Sequence, residues 1–144
     1  MSYNYTLKEY NKEQMSRAIS MLPISGKKSV EICNFIRNKN VAKAKKLLEG
    51  VIEKKVAVPF KRYNRGIPHR KVIGPGKFPI KACSHILQLI NSAEANAQNK
   101  GLNSNNMLIK HLSVKKASQQ YHTGRKRARK MKRCYVEIVL SEVK

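Results

Sequence analysis

The sequence predicts an α+β fold, three helices beside a small set of strands, with one long basic extension. Three observations carry this. Apolar residues recur at helical spacing in three separate stretches. They alternate at strand spacing near the start and in two late runs, Met107 to Val114 and Cys134 to Leu140. The segment joining those two runs, Lys115 to Arg133, is 19 residues long, and nine of them are Lys or Arg with no acid among them. A hairpin normally closes in two to five residues, so this connection is an arm rather than a turn.

Taken in order, Tyr3, Tyr5 and Leu7 alternate as in a short strand with one buried face. Ser25 is placed to cap a first helix in which Ser29, Ile32, Cys33 and Ile36 share a face up to about Asn38. Asn40 can cap a second, whose stripe is Val41, Ala44, Leu47, Leu48, Val51 and Ile52, with Lys43, Lys45 and Lys46 largely off it. Lys54 and Lys55 follow where a helix C-terminus favours cations. From Val58 to Pro79 prolines and glycines break all periodicity, which reads as a long loop without regular structure, of the kind that is usually functional. The third and longest helix starts near Ile80, carries Cys83, Ile86, Leu87, Ile90, Ala93 and Ala97, and stops at Gly101. The two late strand runs then pair antiparallel. Extended legs of about nine residues would carry the arm roughly 30 Å outward at ~3.3 Å per residue. Nothing in it buries enough apolar surface to order it in water.

The chain has 144 residues, enough for one domain, and 31 Lys and Arg against 8 acids give it a net charge of +23. Such a charge repels itself and calls for a polyanion: nucleic acid first, an anionic membrane surface second. No apolar run approaches the ~18 residues of a membrane span and the opening MSYNYTLKEY lacks a signal peptide's apolar stretch, so the protein is read as soluble and cytosolic. Cys33, Cys83 and Cys134 are odd in number and far apart, as for packed thiols in a reducing compartment. Cys83 and His85 lack the further ligands a zinc site needs, and no metal or other cofactor is expected.

Catalysis is not expected either. All the acids are Glu, and Glu94 alone stands between Glu53 and Glu137, on the third helix, where it reads as the partner of a nearby cation. His69, His85, His111 and His122 lie among cations with no carboxylate to orient a triad. IGPGK superficially suggests a phosphate-binding P-loop, but Gly74, Gly76 and Lys77 are followed by Phe78 and Pro79 where Ser or Thr is required, and Pro79 removes an amide donor. These glycines are read instead as letting the backbone turn close to a partner's phosphate.

Two segments are equipped for RNA. In the loop, Lys61, Arg62, Arg65, Arg70, Lys71, Lys77 and Lys81 alternate with Phe60, Tyr63, His69 and Phe78, cations for phosphates beside rings for stacking. The arm has GRKRARKMKR at its heart, between strand patterns that fix both its ends.

LPISGKKSVEI, VPFKRYN followed by HRK and GPGKFPIKA, AEANAQNKGL and the terminal GRKRARKMKRCYVEIVL resemble the large-subunit ribosomal protein family L-twenty-two, in older eukaryotic naming L-seventeen. The likeness runs from about Leu22 to Leu140, and the HR and GPGKFP pairing is archaeal in type. It implies three helices packed on a small three-stranded antiparallel sheet with a long protruding basic β-hairpin. It further implies one rRNA-binding domain over 1–144, with basic loop 58–79 and hairpin arm about 110–136. In that family the globular part binds large-subunit rRNA near the mouth of the peptide exit tunnel, and the hairpin tip lines the tunnel wall. The residues expected on rRNA are Lys27, Lys28, Lys61, Arg62, Tyr63, Arg65, His69, Arg70, Lys71, Lys77, Lys110, Lys115, Lys116 and Arg133. The tip corresponds to Tyr121, His122, Gly124, Arg125, Lys126, Arg127, Arg129 and Lys130. Two departures stand out: at Tyr121, His122, Thr123, Gly124 and Arg125 only the Gly and the basic residue match the family pattern, and Tyr135 replaces a frequent His in the final strand.

The function expected is therefore a non-enzymatic structural constituent of the large ribosomal subunit in the cytoplasm. Its partners would be rRNA, neighbouring subunit proteins and the nascent polypeptide. The competing class is a free-standing nucleic-acid-compacting protein. Such a protein would want a repeated or symmetric basic face, whereas two unequal irregular extensions suit one irregular RNA site.

Overall fold

The computed structural model describes residues 5–7, 11 and 13–142. Its elements run β1 (Met15–Leu22), α1 (Gly26–Ile36), α2 (Val41–Ile52), β2 (Val58–Pro59), β3 (His69–Arg70), β4 (Gly74–Lys77), α3 (Ile80–Gln98), β5 (Met107–Lys116) and β6 (Cys134–Glu142). The main sheet has the order β1-β6-β5 and is antiparallel throughout. The fold is thus α+β, with the three predicted helices and the predicted pairing of the two late strands.

Of the expected first strand, Tyr3 lies outside the described residues, and Tyr5 and Leu7 belong to no strand. The strand that flanks β6 is MSRAISML, in register from Met15 opposite Ser141 to Leu22 opposite Cys134. Its polar residues hide it from a hydrophobic reading. Ser16 is fully buried because its hydroxyl donates to the Ala93 carbonyl of α3 at 2.9 Å, so a polar residue occupies a core position.

α1 buries Ser29, Ile32, Cys33 and Ile36 as the spacing predicts, and Glu31 with them. Ser25 stands at its N-cap, but its side chain makes no capping bond; the Ser25 carbonyl instead accepts from both the amide and the hydroxyl of Ser29. Asn40 caps α2 as expected, its Oδ1 accepting the Ala42 N–H at 2.9 Å. Within the two stripes, Leu47, Ile52 and Leu87 are only half-buried, and Leu89 joins the core of α3. The core lies between the helices and one face of the sheet, where Ile32, Ile36, Leu48, Ile86, Ile90, Met107, Ile109, Leu112, Ile138 and Leu140 are almost wholly enclosed. Beyond Gln98 the chain turns through Gly101, whose N–H reaches back to the Gln98 carbonyl. The Lys45 ammonium on α2 pairs with Glu94 on α3, the partnership expected of that acid.

The helical connection is also tied to the sheet edge. Asn38 N–H donates to the Ile109 carbonyl and the Ile109 N–H to Lys39, at the position where a bulge between Ile109 and His111 shifts the register of β5.

Truncating Ile90 to Ala is expected to cost about 2–5 kcal/mol through lost burial and a residual cavity. Asn40→Ala is expected to cost about 1 kcal/mol through loss of the cap. Denaturant unfolding should show both as a lower midpoint at unchanged slope.

Candidate nucleic-acid interface

The basic loop is not structureless. β4 is the middle strand of a second small sheet in the order β2-β4-β3, pairing Val58 with Lys77, Pro59 with Gly76, His69 with Pro75 and Arg70 with Gly74. Val58 and Phe60 plug its near end into the core. Short paired segments containing two of the chain's prolines, Pro59 and Pro75, have no apolar period, which is why they read as loop. At Gly76 the loop's own packing also calls for glycine: a Cβ there would stand 2.8 Å from Ile73 Cδ1 and 3.2 Å from Arg70 Cγ.

What fixes the loop's course is Glu31. Its buried carboxylate accepts three successive backbone N–H bonds, from Lys61 at 3.1 Å, Arg62 at 2.9 Å and Tyr63 at 2.7 Å. Consecutive amides converging on one anion form a small nest, and charge-assisted bonds of this kind are about twice as strong as neutral ones. The effect is to turn the Lys61 and Arg62 side chains outward, both exposed, while the Tyr63 ring stays half-buried against the core.

Of the residues expected on rRNA, Lys27, Lys28, Lys61, Arg62, Arg65, His69, Arg70, Lys71, Lys110, Lys115 and Lys116 are exposed, and Tyr63, Lys77 and Arg133 are half-buried. Lys27, Tyr63, Lys116 and Arg133 come together around one open groove of about 530 Å³ between α1 and the root of the arm. Lys28 belongs to a neighbouring hollow, and Lys110 sits apart, on β5 at the bulge. Arg70 lies over the Phe78 ring at 5.2 Å, an intramolecular cation–π contact.

The arm differs from a pair of straight legs. The ladder of β5 and β6 ends at Lys116 opposite Cys134, and beyond it the strands are held by scattered bonds: Ala117 to Arg133, Gln120 to Met131 and His122 to Arg129. The turn passes through Gly124 at φ +69, a conformation glycine adopts without strain, into one turn of 3₁₀-helix over Gly124–Lys126. His122, Lys130, Met131 and Lys132 line a hollow of about 490 Å³ together with Lys28, Phe78, Pro79 and Ile80, so this part of the arm lies beside the N-terminal end of α3. Every residue from Tyr121 to Lys130 is exposed.

Sequence reasoning missed three contributors. Lys132 and Gln119 line the groove at the arm root but sit in a run where nothing marks them individually. Glu31 was invisible as an anchor because its partners are backbone amides 30 residues further on. The ion pairs among the described residues are Lys45 with Glu94, Lys55 with Glu53 and His111 with Glu137, so no cation of the loop or arm is neutralised by a carboxylate there.

Glu137, central in β6, is buried on the other face of the sheet. It accepts the N–H and the hydroxyl of Thr6, both at 2.9 Å, and the Ser113 hydroxyl at 3.3 Å, with His111 Nε2 at 3.7 Å. Burial alone would raise its pKa, but the Thr6 bonds, the Leu7 N–H and His111 together hold it below the usual 4.5. The three cysteines are free and buried, and burial pushes the Cys33 and Cys83 thiols up to about 12, which leaves them unreactive. Among the described residues no three His, Cys or Glu side chains gather as a metal site would require. No helix among them is long and apolar enough to cross a membrane.

Glu31→Gln halves the acceptor set and removes the charge, with an expected cost of about 1.5–3 kcal/mol. Amide exchange should accelerate at Lys61 to Tyr63. For Glu137, a depressed folded pKa means that its stabilising share is complete above about pH 4.5 and is lost as the pH falls through the lower folded value. Unfolding measured from pH 6 downward should therefore show a steeper acid loss in the parent than in Glu137→Gln.

The relatives bear on all of this. Residues 18–141 match the family model described as Ribosomal protein L22p/L17e. The chain is 39% identical over 117 residues to the large ribosomal subunit protein uL22 of Archaeoglobus fulgidus, covering 78% of this chain and 76% of that one. The protein of the same name from Nanoarchaeum equitans is 40% identical over 131 residues, 85% of this chain and 75% of its own. That of Staphylothermus marinus is 34% identical over 154 aligned positions, 99% of this chain and 98% of its own. With helices, sheet and motifs falling inside the matched span, the chain belongs to the Ribosomal protein L22p/L17e family, whose members are structural rather than enzymatic.

Proposed function

We propose that this chain is an rRNA-binding structural constituent of the large ribosomal subunit in the cytoplasm, with residues 1–144 acting as one unit. The observation that carries the reading is the segregation of charge. Of the seven acids among the described residues, five are engaged by the protein itself: Glu31 on the loop backbone, Glu137 on Thr6, Glu94 on Lys45, Glu53 on Lys55 and Glu142 on the Asn103 N–H, while the exposed Glu13 and Glu49 lie outside both the loop and the arm. The cations of loop 58–79 and of the arm are left facing solvent, where phosphates would neutralise them. The family membership and the names of its relatives favour the large subunit over a free-standing DNA-compacting role.

In this reading Lys61, Arg62, Arg65, His69, Arg70, Lys71 and Lys77 present one contact segment, Lys27, Lys28, Lys115, Lys116 and Arg133 a second around the arm root, and Lys110 a separate contact on β5. The hairpin, about 110–136, protrudes once rRNA screens its charge, and the exposed tip from Tyr121 to Lys130 lines the wall of the nascent-peptide exit tunnel. Self-repulsion among Arg125, Lys126, Arg127, Arg129 and Lys130 opposes close packing of the tip in the free protein and disappears when phosphates interleave.

Binding to large-subunit rRNA should be steeply salt-dependent, because log K falls with log salt by about 0.7 to 0.9 per phosphate neutralised. With on the order of ten contacts the slope is about −7 to −9 by the same rule. A slope near −2 would mean that most of the charge faces solvent even in the complex. The triple variant Lys61→Ala, Arg62→Ala, Arg65→Ala should reduce the slope by roughly two to three while thermal unfolding is unchanged, since exposed cations contribute little to the fold. Deleting Tyr121 to Lys130 and closing the hairpin with Asn-Gly should leave a protein that still sediments with large subunits but alters nascent-chain crosslinking to the tunnel wall. Unchanged crosslinks would exclude the tip from the tunnel.

A further inference from the structure

The groove beside Tyr63 has a composition that phosphate neutralisation alone does not explain. Its floor is apolar, made by Ile24, Val30, Val114 and Cys134, and one wall is the half-buried Tyr63 ring. Lys27, Lys116, Lys132 and Arg133 stand around the rim and no acid lines it. Gln119 adds an amide that can donate and accept together, beside the hydroxyl-bearing Ser25 and Tyr63. A binding site for phosphate backbone needs only the rim. A floor and a ring suit a flat apolar face.

We propose that this groove receives one unpaired RNA nucleotide, its base stacked on Tyr63 and its flanking phosphates held by Lys27, Lys116, Lys132 and Arg133. The inference rests on the rRNA-binding reading and deepens it. A volume of about 530 Å³ lies in the range of small-ligand pockets. Unpaired bases are what folded RNA offers to aromatic walls, because paired ones are already stacked within a helix whose deep groove excludes side chains. Gln119 is placed to bond the base's polar edge, which is free only in an unpaired nucleotide.

Rigidity supports the assignment. The Tyr63 backbone is held by the 2.7 Å bond to Glu31, and its ring packs on the core, so the stacking surface is set before RNA arrives. The opposite side of the groove is the arm root, held by the last pairs of the β5–β6 ladder, Lys115 with Tyr135 and Lys116 with Cys134. Lys27 and Arg62 lie 5.7 and 5.5 Å from the ring centroid, near the outer limit of a cation–π contact, and both side chains are exposed. They can swing to phosphates when a base takes the ring face.

The test uses the full chain with a large-subunit rRNA transcript. Irradiation at short ultraviolet wavelength joins a base only to a side chain in direct contact, and mass spectrometry then locates the nucleotide adduct. An adduct at Tyr63 is expected. Tyr63→Leu should weaken binding roughly 5- to 100-fold, the range that loss of one stacked base implies, while Tyr63→Phe should bind as the parent does. Circular dichroism and thermal unfolding of Tyr63→Leu check that the change is not one of folding. Binding of the parent with no adduct at Tyr63, or with Tyr63→Leu at full affinity, overturns the nucleotide groove and leaves the rRNA reading standing. Failure of the parent chain to bind the transcript at all overturns both.

Discussion

One carboxylate, Glu31, joins the helical layer to the basic loop, and the placement of the candidate interface follows from it. A buried charge is costly unless its bonds are made. Here three consecutive N–H groups satisfy it, and in doing so they fix the chain where Lys61 and Arg62 leave the surface and Tyr63 returns to it. The second sheet completes the restraint from the other side, since the Phe60 N–H donates to Pro75 and the Gly76 N–H to Pro68. A loop so anchored presents its cations in a fixed array. The entropy of ordering it is met during folding rather than on meeting RNA.

The same economy governs the other acids. In a chain with 31 basic residues and 8 acidic ones, a carboxylate left on the binding face would repel phosphate. Those that the structure describes with partners are turned to internal tasks: a nest, a strand-spanning bond set around Thr6 and Ser113, a link between α2 and α3. The apolar core cluster and the exposed cations of the loop and arm are thus different residues, although Val58, Phe60 and Tyr63 tie the loop to that core.

The arm shows how far such a design reaches in a free protein. Near the sheet it is held by β5 and β6 and by the buried Ala117. Further out it has a few backbone bonds and no buried side chain from Tyr121 to Lys130. Low burial and like charge together leave this segment with few internal restraints.

The sequence by itself determined the three helices, the antiparallel pairing of the last two strands, the Asn40 cap and that Glu94 would pair with a cation, because each rests on a local period, a capping residue or a lone acid on a helix surface. It also determined the family, through motifs contiguous in the chain. It did not reveal β1, whose Ser16 is buried only because the Ala93 carbonyl lies opposite, nor the small sheet inside the loop, whose strands of two to four residues carry no period. The fold alone decided that Glu31 would hold Lys61 to Tyr63, and that Lys27, Tyr63, Gln119 and Arg133 would share one groove. Those residues are scattered over more than a hundred positions, and a hydrogen bond to backbone amides leaves no signature in the identities of the residues that donate it.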